Sequence, residues 1–207
     1  MKLILASGSE WRKRLLSLLE LPFTVQESRV KEDQFDWEEA SEVVATLATM
    51  KAEAVAKKMT DEGTIIIGAD TMVSLDGELI GKPANRQEAK AIIGKLAGRT
   101  HEIWTGICVV EADTWERVVE VEKTEVTFRP MNEWQVEQYL KTKEWEGKAG
   151  AYQMHGVIKE YVKDIVGSYT NVIGLPMLTL VEMLEEMGVW VEVDVTERLN
   201  KILGKPN

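Results

Sequence analysis

Cysteine and histidine are almost absent from this sequence. Cys108 is the only cysteine among 207 residues, so a disulfide within the chain is excluded, and there are two histidines. No Cys/His spacing typical of a zinc site, no P-loop and no nucleophile-elbow motif is present. Because scarce cysteine is typical of proteins from a reducing compartment, we expect a cytoplasmic location.

Long apolar segments and an excess of positive charge are also missing. No run approaches the roughly 20 apolar residues that a membrane span requires, so we expect no membrane association. The chain carries 25 Lys and Arg against 35 Asp and Glu, a formal net charge of −10. Since this charge repels nucleic acid, we expect none to bind, and any phosphate-binding role requires a local basic pocket.

The hydrophobic residues, 44% of the chain, follow both strand and helix periods. Residues 3–5 and 65–67 are predicted to form short buried strands, and residues 101–130 a long β-hairpin. Helices are predicted between the strands, the longest from about residue 43 to 59. We therefore expect a mixed α/β fold, organised as one domain over residues 1–207 with two lobes and a tail from about residue 194.

Three cations crowd the first turns of the first predicted helix, which Ser9 caps. Arg12, Lys13 and Arg14 lie where the unpaired N–H groups of a helix already carry about half a positive charge. Because further cations there are unfavourable, a bound anion is a natural explanation for them. Trp11, on the same turn, either covers the core or places its ring beside a ligand, where it could stack on a base.

Two carboxylates are candidates for chemistry. Asp70 directly follows the apolar run of residues 65–67, at the expected end of a strand, where open α/β sheets usually bind their ligands. Its alternative role is a turn or cap carboxylate. Glu32 lies in a polar loop, where surface glutamates are common. Together the two could hold a magnesium ion, which favours one or two carboxylates plus substrate phosphates.

Two lysines and a histidine complete the candidates. Lys51 falls within the apolar stripe of the longest helix, so it either extends to solvent or points into a cleft. Lys82 lies between Gly81 and Pro83 and is either a constrained site residue or an ordinary loop lysine. His155 is on a glycine-rich loop that would let a ligand approach closely, although a lone histidine is often structural.

Six motifs in order resemble one known family. They are "LASGS", "IIIGADTMV", "DGELIGKP", "HEIWTGI", "GKAGAYQMHG" and "GSYTNVIGLP". Each is weak alone, but their shared order and spacing are similar to the Maf family of nucleoside triphosphate pyrophosphatases, from Leu3 to about Met187. The matching family positions are Ser9, Arg12, Glu32, Lys51, Asp70 and Lys82.

The resemblance implies an elongated mixed sheet with flanking helices, two lobes around a central cleft, and often a homodimer. It implies cleavage of a nucleoside triphosphate between the α and β phosphates, dependent on Mg²⁺ or Mn²⁺. Asp70 would accept a proton from water or bind the metal, and Glu32 would assist the metal. The triphosphate would be held by Arg12, Lys51 and Lys82.

Three positions bearing on the base give different indications. Trp11 resembles the family branch that prefers 7-methyl-GTP, whereas Thr71 resembles the dTTP/UTP branch, and His155 stands where the two branches have an acid or a glutamine. The whole motifs "GADT" and "GKAGAY" favour dTTP and UTP. The resemblance implies a house-cleaning role, the removal of non-standard or surplus nucleotides. The alternatives are a 7-methyl-GTP pyrophosphatase and a non-catalytic nucleotide-binding regulator of cell division, the latter because Glu10 brings a negative charge beside the expected phosphate site.

Overall fold

The computed structural model of the chain describes residues 2–30 and 39–203, with residues 200–203 described by their backbone alone. The strands are β1 Lys2–Leu5, β2 Phe23–Val25, β3 Thr64–Leu75, β4 Glu78–Ile80, β5 Thr100–Glu111, β6 Arg117–Phe128 and β7 Val162–Val166. The α-helices are α1 Glu10–Ser17, α2 Ala40–Ala56, α3 Arg86–Leu96, α4 Glu133–Lys141, α5 Tyr169–Ile173, α6 Met177–Glu186 and α7 Val195–Leu203. Short 3₁₀ turns span Ala149–Ala151 and Val157–Tyr161.

The strands form one mixed sheet in the order β2-β1-β3-β5-β6-β7, with β4 also paired to β3. Strand β1 runs parallel to β2 and to residues 64–67 of β3, and β3, β5, β6 and β7 then pair antiparallel. Beyond the end of β1, no strand within the described residues pairs with 68–72 of β3 on that edge. This opening in the sheet is where the cleft described below lies.

Helix α2 packs directly against the backbone of the sheet. A Cβ atom added at Gly68 would lie 2.2 Å from the Ala48 carbonyl oxygen, and one added at Gly106 would lie 2.2 Å from the Val44 carbonyl oxygen. Only glycine permits such an approach. The close packing brings Lys51, on the next turn of α2, next to Asp70, two residues beyond Gly68 on the same face of β3.

The opposite face of the sheet carries two apolar clusters. The first cluster joins residues of β1, α1 and α6, such as Leu5, Leu16 and Leu180, to β3 and β5. The second cluster joins α3 and α4 to the far ends of β3, β5 and β6, around residues such as Ile93 and Phe128. The sheet, its flanking helices and these two clusters confirm the expected mixed α/β fold.

Several features differ from the sequence-based expectations. Asp70 does not follow a strand but lies in the middle of β3, because β3 continues to Leu75 by pairing with β5; it is β1 that ends there. The alternation of residues 157–167 predicts a strand, which forms only over β7, whereas residues 157–161 form a 3₁₀ turn; α5 was not predicted. Helix α7 packs Val195 and Leu199 against the first cluster. Among the described helices, none has the length and apolar character needed to cross a membrane.

Candidate active site

A cleft of about 680 Å³ opens beside the end of β1 and is lined from both apolar clusters. Eight of the nine residues singled out from the sequence line it: Ser9, Trp11, Arg12, Lys51, Asp70, Thr71, Lys82 and His155. The ninth, Glu32, lies outside the described residues. Residues that are up to 146 positions apart in the sequence, as Ser9 and His155 are, thus line one cavity.

Asp70 and Lys51 form a buried ion pair in the wall of this cleft. The Lys51 Nζ donates to Asp70 Oδ1 at 2.5 Å, and the two residues are only 8% and 6% exposed. Burying two charges has a large desolvation cost that a salt bridge often does not recover. The pair is therefore better explained by the chemistry of the cleft than by fold stability, and of the two roles left open for Lys51 the structure places it towards the cleft.

The start of helix α1 lies at the cleft and is held in place by serines. Ser9 is the N-cap, and its hydroxyl accepts from the Arg12 backbone N–H at 3.4 Å. The Ser9 backbone N–H in turn donates to the Ser7 hydroxyl at 3.3 Å. Glu10 lies within 3.9 Å of Lys13, so its negative charge is partly offset. The first turn of α1 remains a local source of positive potential.

Arg12 is anchored by oxygen atoms of three separate segments. Its Nε donates to the Gly174 carbonyl at 2.7 Å, and one terminal nitrogen donates to the Ala69 carbonyl at 2.8 Å and to the Ser7 hydroxyl at 3.3 Å. The other terminal nitrogen donates to the Thr71 hydroxyl at 2.9 Å. The guanidinium group therefore ties α1 to β3 and to the end of α5, and its charge is held in a fixed position at the cleft wall.

Thr71 belongs to a chain of hydroxyl groups below the cleft. The Thr105 hydroxyl donates to the Asn171 carbonyl at 3.2 Å, so the Thr71 hydroxyl donates to Thr105 at 2.9 Å and accepts from Arg12. Asn171 is fully buried and donates its side-chain amide to Ile103 and Thr124. The Thr71 hydroxyl is consequently engaged in orienting Arg12.

Trp11 and His155 stack on each other across the cleft mouth. Their ring centroids are 3.3 Å apart with planes inclined by 20°, and the Arg14 guanidinium lies 4.7 Å from the Trp11 ring centre. Burial, followed by the charges of Arg14, Lys148 and Lys159, lowers the pKa of His155 to about 4. The imidazole is therefore neutral near pH 7, and the stacked pair, called here the Trp11–His155 surface, joins α1 to the glycine-rich loop, with one face of each ring covered by the other ring.

A hydrogen bond joins the loop that carries Lys82 to the glycine-rich loop, residues 147–156. The Gly150 backbone N–H donates to the Gly81 carbonyl at 3.2 Å. Gly150 has a φ of +67°, and a Cβ there would come within 2.8 Å of Val73. Glycine is thus required for the loop to lie on β3 at this point.

Sequence reasoning missed two cations and one carboxylate of the cleft. Arg29, Lys148 and Glu27 also line it. No local pattern distinguishes them from ordinary loop residues, although Lys148 lies within the quoted motif "GKAGAY". With them, the lining holds five cations and three carboxylates, so this acidic chain does contain the local basic pocket that phosphate binding requires.

The described residues of the cleft do not by themselves form a complete site for a divalent cation. Among the described residues, no three His, Cys, Asp or Glu side chains are grouped so that they could hold a metal. Lys51 occupies one Asp70 oxygen, which leaves the other for an ion. Because Mg²⁺ typically uses one or two carboxylates plus substrate phosphates, the residues fit an ion that arrives with a phosphate ligand.

The fold and site define an α/β protein with a basic, nucleotide-sized cleft around the buried carboxylate of Asp70. The model of the family described as Maf-like protein matches residues 2–187. The chain belongs to this family.

Curated relatives and a solved structure add to this comparison. A protein named dTTP/UTP pyrophosphatase from Bacillus cereus (strain G9842) is 40% identical over 195 residues, covering 94% of this chain and 98% of the relative. A Bacillus anthracis protein of the same name is 40% identical over 188 residues, covering 91% and 96%. The structure of the Staphylococcus aureus Ham1 protein aligns with 99% of this chain and 98% of its own at 16% identity and a TM-score of 0.46.

Proposed function

We propose that this protein is a nucleoside triphosphate pyrophosphatase that hydrolyses dTTP and UTP to the monophosphate and pyrophosphate. The observation that carries the proposal is the buried Lys51–Asp70 pair at the wall of a basic cleft. Family membership supports the reaction class, and the names of the relatives, at 40% identity over nearly their full length, support dTTP and UTP.

In the proposed reaction, Asp70 accepts a proton from the attacking water. The water oxygen bonds to the α phosphorus. The bond from the α phosphorus to the oxygen that bridges to the β phosphate breaks, and pyrophosphate leaves with that electron pair. Lys51 holds one Asp70 oxygen, so the other can take the proton. Fixed positive charge is the main contribution that a protein makes to such chemistry, and in this cleft Arg12, Lys51 and Lys82 supply it.

A magnesium or manganese ion is part of the proposal. The second Asp70 oxygen can either take the proton or bind the ion, so in the proposed reaction Glu32 and the substrate phosphates would hold the ion, with Asp70 as the alternative ligand. When bound, the ion would neutralise charge on the phosphates and polarise their oxygens. The residues of the chain do the remaining work, because the start of α1 and the anchored Arg12 orient the triphosphate.

The base is proposed to bind towards the Trp11–His155 surface. Neutral aromatic rings stack on any base, so this surface alone does not choose between pyrimidines and 7-methylguanine. The preference for dTTP and UTP therefore rests on the relatives. On family membership alone, we further propose a homodimer located in the cytoplasm; light scattering after gel filtration tests the former, and cell fractionation the latter.

The test is pyrophosphate release from dTTP, UTP, CTP, GTP, ITP and 7-methyl-GTP with Mg²⁺. We expect dTTP and UTP to be hydrolysed fastest and Asp70→Asn to lose at least 100-fold in kcat, the size expected for loss of a general base. Asp76→Asn is the matched control. Asp76 is an exposed turn residue at the end of the same strand, with a φ of +51° that asparagine tolerates, so its activity should be unchanged.

Three other results would lead to different conclusions. Fastest hydrolysis of 7-methyl-GTP would assign the protein to the alternative substrate. If the protein binds nucleotides but releases no pyrophosphate over hours, the alternative of a non-catalytic nucleotide-binding regulator is favoured. Full activity of a folded Asp70→Asn variant would refute the role proposed for Asp70.

A further inference from the structure

Lys148 is a partly buried lysine of the cleft, and no carboxylate of the described residues pairs with it. It caps the 3₁₀ turn Ala149–Ala151 and lines the cleft, and its backbone is held by hydrogen bonds to Trp145 and Ala151. Within the described part of the chain, its ammonium group makes neither an ion pair nor a hydrogen bond. An ammonium that is drawn partly out of water without a partner is unfavourable in the free protein.

Some exposed lysines of this chain pair with carboxylates and others, such as Lys159, pair with no carboxylate of the described residues, so it is the partly buried position at the cleft that distinguishes Lys148. Lys90 contacts Glu133 and Glu137, and Lys95 contacts Glu78. The charge of Lys148 acts on neutral His155, whose pKa it helps to lower, so this cation lies near the Trp11–His155 surface.

The loop that carries Lys148 is held in place from several sides. Tyr139 donates its hydroxyl to the Ala151 carbonyl at 2.9 Å, and Gly150 is bonded to Gly81. Ala151 and Tyr152 both belong to the second apolar cluster. Lys148 is therefore presented on a prepared wall of the cleft, whereas α1 and β1 contribute to the first cluster.

We propose that Lys148 is an additional phosphate-binding residue, which contacts the triphosphate of the substrate from the wall formed by the second apolar cluster. This inference rests on the proposed function, because it assumes a polyphosphate ligand. Arg12 and the start of α1 contact the same ligand from the wall formed by the first cluster. A triphosphate that is held from both walls bridges the first and second apolar clusters.

The test uses inorganic tripolyphosphate in metal-free buffer, with binding measured by titration calorimetry. We expect Lys148→Gln to weaken binding about tenfold or more, and Lys148→Arg, which restores the charge, to remain within about threefold of the wild type. Lys159→Gln is the matched control. Lys159 is an exposed lysine of the same region that also acts on His155, but it does not line the cleft.

Kinetics with dTTP separates this inference from the proposed function. For an active enzyme, we expect Lys148→Gln to raise KM about tenfold. If the wild type hydrolyses dTTP while Lys148→Gln matches it in KM and in tripolyphosphate affinity, the role of Lys148 is refuted and the function stands. If no nucleotide is hydrolysed but tripolyphosphate binding still depends on Lys148, the function fails and the phosphate site remains. An equal loss of tripolyphosphate affinity in Lys159→Gln would show that only the net charge of the protein matters, and would overturn the proposal.

Discussion

His101 should make the stability of this protein depend on pH in the range where histidine titrates. The residue is 1% exposed at the start of β5; its Nε2 is 2.8 Å from the Tyr152 hydroxyl, and its Nδ1 has no partner among the described residues. The rings of Phe128 and Tyr152 pack edge-on against it. Burial lowers the pKa of His101 from 6.5 to about 4, because the charged form would lose its water.

The sign and size of the effect follow from linkage. The unfolded chain takes up a proton below pH 6.5, whereas the folded chain does so only near pH 4, so stability is complete above pH 6.5 and is lost as the pH falls. At roughly 1.4 kcal/mol for each pH unit of difference, the full loss is about 3 kcal/mol. About 2 kcal/mol of this should be lost between pH 7.5 and 5.

Urea unfolding at pH 7.5, 6.5 and 5 measures this loss, with His101→Gln as the variant that cannot titrate. The wild type should lose about 2 kcal/mol more than His101→Gln over this range. Because the chain has two histidines, NMR titration of the imidazole protons can assign each pKa directly by the signal that the variant lacks. Parallel pH profiles for wild type and variant, or a His101 pKa near 6.5, would refute the reasoning.

Two further predictions concern the packing of α2. Gly106→Ala should destabilise the fold by about 2 kcal/mol or more in urea unfolding, since its Cβ would clash with the helix backbone. Gly94→Ala, in α3 with no atom near the added Cβ, should instead stabilise by up to about 1 kcal/mol, and equal effects at the two sites would contradict the packing described. Lys51→Met should lower the free energy of unfolding by about 3 kcal/mol, because it leaves the buried Asp70 unpaired. Lys57→Met, at the exposed end of the same helix, is the control and should change the free energy of unfolding by less than about 0.5 kcal/mol. A Lys51→Met variant as stable as the wild type would show that the buried pair is already solvated.

Much of the fold could be predicted from local signals. Asparagine is a preferred helix cap, and Asn85 and Asn132 cap α3 and α4; the Asp-Gly pair at 76–77 is typical of a tight turn, and it joins β3 to β4. These features depend on hydrogen bonds and dihedral angles within a few residues, so a single sequence contains them. Lys51 and Asp70 were of this kind too, since Lys51 interrupts an apolar stripe and Asp70 directly follows an apolar run, whereas Thr71 was indicated only by the family resemblance.

The remaining features depend on contacts between distant segments. Strand β3 continues past Asp70 because β5 pairs with it along its whole length, and no local pattern shows that partner. Helix α5 has five residues, too few to display a helical period, and Asn171 within it is held by contacts to β5 and β6. Lys148 resembles any loop lysine until the fold shows that it lines the cleft and acts on His155.

The hydrogen bond between Gly150 and Gly81 has a consequence for the divergence and engineering of this cleft. It joins the loop that carries Lys148 to the loop that carries Lys82, so an insertion or deletion in either loop displaces a cation on the other. The two loops are therefore a single exchangeable module, although about 65 residues separate them. A chimera that transplants one loop from a relative with a different substrate should keep its activity only when the other loop is transplanted with it.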